Sequence, residues 1–163
     1  MIDIHNNKHY FLMSGSIFVH NEAYFVTTVL GSCVSVCLWD PAKRIGAINH
    51  YMLPLWNGEG IASLKYGSIA IPAMIEKMIE LGSLKKNLQA KIFGGSAVFG
   101  KPSAVMNIGE GNIIIAQSEL KKEQIPIISR DVGGKIGRKI VYDLFTGTVL
   151  VKKLNAQIDD TGI

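Results

Sequence analysis

Four runs rich in aromatic and β-branched residues, HYFLMSGSIFVH, EAYFVTTVL, CVSVCLW and IGAINHYML, crowd into the first 53 positions of the chain. Such residues fit a pleated, half-buried surface, and the breaks between the runs are turn signals: Gly31-Ser32 before the third and Asp40-Pro41-Ala42-Lys43-Arg44 before the fourth. The first third therefore reads as consecutive short strands, the last two joined as a hairpin. Asn57-Gly58-Glu59-Gly60 is a loop, and beyond it the spacing predicts a helix with Pro72 near its first turn, Ile71, Ile75, Met78 and Ile79 on one face, and a stop at Gly82. LQAKIFGG is a further strand. A second helix is expected with Asn112 as N-cap, Ile113, Ala116 and Leu120 on its buried face and its end before Pro126; the tail alternates around Thr146-Gly147 as a hairpin. The fold class expected is α+β: one domain over 1–163, core about 18–154, a layered sandwich of mostly antiparallel sheets with two main helices outside.

Composition narrows the function classes. A chain of 163 residues with 48% hydrophobic and 18% charged residues is globular, not disordered or fibrous. Two cysteines are too few for a disulfide framework, and the first residues carry no basic segment leading into an apolar one, which points to the cytoplasm. The uncharged run from Ala23 to Trp39 is too short and too rich in Thr, Ser and β-branched residues for a membrane anchor. The net charge of +4 is spread over doublets (Lys85-Lys86, Lys121-Lys122, Arg138-Lys139, Lys152-Lys153), without the aromatic-interleaved stripe of a nucleic-acid site. Gly95 to Lys101 imitates a phosphate loop, but Pro102 follows where a magnesium-binding hydroxyl and a helical amide are required. His5, His9, His20 and His50 lie on separate segments, so no metal and no cofactor is expected.

The cysteines carry the remaining chemistry. On one extended strand Cys33 and Cys37 would lie about 13 Å apart, beyond the ~7 Å reach of a disulfide. Cys37, between Val36 and Leu38, reads as a small buried hydrophobe. Cys33 follows a Gly-Ser break, where backbone amides can turn outward as donors to an oxyanion, and the Asp40–Arg44 hairpin returns His50 towards it. By spacing alone, a structural thiol and histidine is the first reading of this pair and a nucleophile with its base the second.

TTVLGSCVSVCLWDP, GAINHYMLP, GGSAVFG, MNIGEGN and DVGGKIGRKIVYDLFTGTVLVKK resemble, in that order and spacing, the CheD family of chemoreceptor glutamine deamidases. The resemblance implies a Cys nucleophile at Cys33, a catalytic His at His50, and a third member at Thr27, six residues before the nucleophile, with Thr28 on the opposite face. It implies a fold related to toxin deamidases and conversion of receptor glutamines to glutamate, with the backbone of Ser32 and Cys33 serving the oxyanion. The partners implied are cytoplasmic helices of methyl-accepting chemoreceptors and a CheC-type phosphatase. A non-catalytic docking module and a glutamyl methyl ester hydrolase are the rival readings. Val98 and Gly111 depart from the family pattern, the second where an Arg is common.

Overall fold

A computed structural model describes residues 8–97 and 107–154. His5, Val98, Lys101 and Pro102 lie outside the described residues, and the phosphate-loop imitation lies mostly there too. Among the described residues nine strands and two α-helices follow in the order β1 (Lys8–Phe11), β2 (Ser16–His20), β3 (Tyr24–Leu30), β4 (Val34–Asp40), β5 (Ile45–His50), α1 (Gly67–Glu80), β6 (Gln89–Gly94), α2 (Ile108–Lys122), β7 (Ile127–Val132), β8 (Arg138–Asp143) and β9 (Val149–Lys153). One sheet runs β1-β3-β8-β9 and the other β2-β5-β4-β6-β7. Pairing is antiparallel throughout except at the edges, where β1 runs parallel to β3 and β7 parallel to β6. The architecture is the expected α+β sandwich, with the helices on the outer side of the five-stranded sheet.

Alternation along β4 explains why it is apolar on both faces from Val34 to Trp39 with Ser35 as the exception. Val34, Val36 and Leu38 turn to one core together with Met74, Met78, Ala116 and Leu120 of the two helices, whereas Cys37 turns to a second core between the sheets, with Leu12, Val26, Leu30, Ile48 and Ile140. A strand covered on both faces has no solvent side on which to place charge. Each fully buried Leu, Ile or Met contributes roughly 1.5–3 kcal/mol of transfer free energy.

Both helices start earlier than the sequence suggests. In α1, Pro72 sits inside the helix, beyond its first turn, and the buried stripe is Ala70, Ile71, Met74, Ile75 and Met78. Ile79 falls a full 100° step past Met78 and is exposed. In α2 the N-cap is Asn107, whose side chain accepts the Glu110 amide at 3.3 Å; Asn112 is not a cap but lies within the helix, wholly buried. Gly109 and Gly111, poor helix formers, mask this start in the sequence. Gly111 lets α2 approach Pro54, since a Cβ there would come within 3.0 Å of the Pro54 ring.

Candidate active site

Cys33 occupies the short link between β3 and β4, which cross from one sheet to the other. Its neighbour Val34 bridges Tyr51 across the strands, the Val34 amide donating to the Tyr51 carbonyl at 3.2 Å and the Tyr51 amide to the Val34 carbonyl at 3.1 Å. Val34 and Tyr51 both face the helices. The residue before each, Cys33 and His50, must therefore face the other way, into the space between the sheets. They stand as diagonal neighbours across an antiparallel pair, a spacing of roughly 7–8 Å between backbones that side chains can close. Cys33 is half-buried and His50 only 6% exposed.

The backbone of the link is held carbonyl by carbonyl. Gly31 O accepts from the Ser96 amide at 3.0 Å, and Cys33 O from the Gly95 amide at 2.9 Å. Ser32 O accepts from the Asn112 side-chain Nδ2 at 2.9 Å. Gly94 and Gly95 both have positive φ, and a Cβ on Gly94 would overlap the Cys33 carbonyl, so only glycine permits this approach.

His50 ends β5, paired with Ser16 of β2, and its carbonyl accepts from the Gly15 amide at 2.7 Å. Its ring Nδ1 lies 2.7 Å from Thr28 Oγ1, and that hydroxyl also donates to the Leu12 carbonyl at 2.9 Å. A hydroxyl has one proton, and a carbonyl can only accept. With the proton committed to Leu12 O, Thr28 Oγ1 must accept from Nδ1–H. The imidazole is thereby fixed with hydrogen on Nδ1 and a free lone pair on Nε2, the form a general base requires.

This geometry corrects the reading of Thr27. Val26 and Leu30 of β3 are buried between the sheets, so Thr28, midway between them, shares their face and Thr27 does not. Thr27 contributes only its carbonyl, which accepts from the Leu12 amide at 2.9 Å. A one-residue change of parity exchanges the faces of a strand. The apolar alternation Val26-x-x-x-Leu30 was the signal that selects Thr28.

Burial displaces both ionisable groups. It raises the Cys33 thiol above its ordinary range, opposed by the residue's own backbone N–H, which pulls it down. It lowers His50 to about 4. Both shifts favour the uncharged forms, a thiol and a neutral imidazole, over a thiolate–imidazolium pair. Cys37, enclosed in the inter-sheet core, is raised far more strongly by burial. Among the described residues no three His, Cys, Asp or Glu side chains cluster so as to hold a metal, and no helix is long and apolar enough to cross a membrane.

A family model described as CheD chemotactic sensory transduction matches residues 52–153. The protein named "Probable chemoreceptor glutamine deamidase CheD" in Trichlorobacter lovleyi is 47% identical over 144 residues, covering 88% of this chain and 89% of the relative. The proteins named "Probable chemoreceptor glutamine deamidase CheD 1" in Anaeromyxobacter dehalogenans and "Probable chemoreceptor glutamine deamidase CheD" in Sulfurimonas denitrificans are 40% and 42% identical. They cover 88% and 87% of this chain, and 84% and 92% of their own length.

Proposed function

Because this chain belongs to the CheD family, we propose that it is a chemoreceptor glutamine deamidase, one domain acting in the cytoplasm on the helices of methyl-accepting receptors. The observation that carries the chemistry is the Leu12–Thr28–His50 relay of hydrogen bonds, which leaves Nε2 as the base on the face that Cys33 shares.

The cycle has two halves. His50 Nε2 takes the thiol proton as Cys33 Sγ attacks the carboxamide carbon of a glutamine, and the carbonyl oxygen becomes an oxyanion. The amides of Ser32 and Cys33 are the donors assigned to that charge; removing one such donor elsewhere costs a factor of about 10²–10³ in rate. Collapse breaks the carbon–nitrogen bond, and the proton held by His50 leaves with ammonia, giving a glutamyl thioester. Water, deprotonated by the same nitrogen, then attacks the thioester; the carbon–sulfur bond breaks and the thiol regains its proton. Glutamate replaces glutamine on the receptor. Thr28 takes the orienting place first given to Thr27.

The test is incubation with a receptor cytoplasmic fragment and peptide mapping of Gln-to-Glu conversion. Site-specific conversion that disappears in Cys33→Ala is expected. Hydrolysis of glutamyl methyl esters with untouched glutamines would replace the substrate while keeping the machinery, and no conversion of either would end the enzymatic reading.

A further inference from the structure

The side chain of Asn112 reaches from the second turn of α2 into the joint between the link that carries Cys33 and the chain just past His50. Its Nδ2 donates to Ser32 O at 2.9 Å and to Met52 O at 3.0 Å. Both partners are carbonyls, so the amide nitrogen, not its oxygen, must face them. Met52 lies two residues beyond His50 and opposite Cys33 in the register set by the Val34–Tyr51 bridge. One carboxamide therefore ties the nucleophile link to the strand end that delivers the base.

Its bond to Ser32 O has a directional consequence. In a planar trans peptide the C=O and the following N–H point in opposite directions. Fixing Gly31 O on Ser96 aims the Ser32 amide away from the glycine turn, and fixing Ser32 O on Asn112 aims the Cys33 amide away from α2. Among the described residues neither amide donates to another residue. The first of these carbonyls is held by backbone; the second depends on one side chain.

We propose that Asn112 is a positioning residue for the oxyanion site, holding the Ser32–Cys33 peptide so that its N–H faces the carbonyl under attack. The proposal rests on the deamidase reading for its natural substrate, but concerns any acyl transfer to Cys33.

Two reactions at the same sulfur separate this role from a merely structural one. Acylation of Cys33 by p-nitrophenyl acetate forms the carbon–sulfur bond through a tetrahedral oxyanion and expels p-nitrophenolate. Alkylation by iodoacetamide displaces iodide at a saturated carbon and builds no oxyanion. Both are followed by mass spectrometry of the intact protein, in Asn112→Ala and in the near-isosteric Asn112→Leu, whose methyl groups donate to neither carbonyl. Tyr142→Phe, which removes a remote buried bond to Leu38 O, is the control for general loosening.

Acylation should fall on the order of tenfold or more in both Asn112 variants while alkylation stays within about twofold, the donors being displaced rather than deleted. The control should leave both rates near wild type. Equal changes in the two reactions, or no change in either, overturn the proposal, as would a wild-type Cys33 that alkylates but does not acylate. If the alanine variant fails to fold, Asn112→Leu decides alone. Wild-type protein that acylates at Cys33 but converts no receptor glutamine would remove the proposed substrate and leave the role of Asn112 standing.

Discussion

Cys33 and Cys37 are four residues apart, yet the chain treats them as different substances. Cys37 lies mid-strand, its backbone committed to ladders with Ile48 on one side and Lys91 on the other, its sulfur enclosed among apolar neighbours. Cys33 lies where the ladder has not begun, its carbonyl satisfied by a glycine turn and its neighbour's by a side chain of α2. Ladder pairing leaves no backbone donor for a ligand. Pinning from outside a ladder satisfies the carbonyls and leaves amides to point elsewhere. The thiol is the same group in both places, and on the proposed mechanism the backbone around it decides whether it is core or chemistry.

The sharpest way to break this contrast is substitution. Cys33→Ala is expected to abolish deamidation with the fold retained, by circular dichroism and melting. Cys37→Ser should keep its activity per folded molecule while losing about 1–3 kcal/mol of stability, the cost of burying a hydroxyl without a ready partner. Activity in the first variant, or loss of activity in a fully folded second, would erase the distinction.

Alkylation of the native protein should follow the same order. Iodoacetamide should label Cys33 and spare Cys37 until the protein unfolds, with the Cys37 rate tracking denaturant concentration. Because burial raises the Cys33 thiol and lowers His50 to about 4, the Cys33 rate should climb toward alkaline pH. A rate already flat from pH 5 upward would mean a standing thiolate–imidazolium pair.

Thr28→Val should reduce turnover by about 10–100-fold, the size of effects seen when a residue that orients a reactive side chain is removed. Thr27→Val, on the other face of β3, should stay near wild type. Both are read on one receptor fragment, and the reverse order would restore Thr27.

The smallest effect is on stability against pH. His50 binds its proton at about 4 when folded, against roughly 6.5 in an unfolded chain, so the unfolded state takes up more protons between those values. Its contribution is complete above about pH 6.5 and is lost as pH falls towards 4. Urea titrations between pH 4 and 7 should show that slope, and His50→Gln should flatten it.

Much of the fold could be read locally. The Asp40–Arg44 turn, the Thr146-Gly147 hairpin and the strand beginning near Gln89 all show in short windows of sequence, because each depends on neighbours within a few residues. What escaped was set at a distance. β7, Ile127–Val132, carries Ser129, Arg130 and Asp131 in succession and shows no strand alternation of its own; its parallel pairing with β6 is what places it in the sheet. That Cys33 and His50 share one face was legible because one hairpin joins them, whereas the roles expected of them came from the family resemblance. Thr28 was hidden by a single step of parity, and Asn112 because two glycines obscure where α2 begins.

Leu12 takes no part in any bond that forms or breaks, and it stands just past the end of an edge strand. Its amide holds the carbonyl of Thr27 and its carbonyl holds the hydroxyl of Thr28. Were that carbonyl withdrawn, the Thr28 proton could turn to Nδ1 of His50, and the ring hydrogen would move to Nε2. On the proposed mechanism the base would then meet the thiol with a hydrogen already in place and could not take its proton. A peptide bond beyond the reach of the substrate thus selects between two isomers of a side chain, and the active isomer is a property of how the edge of the sheet is closed.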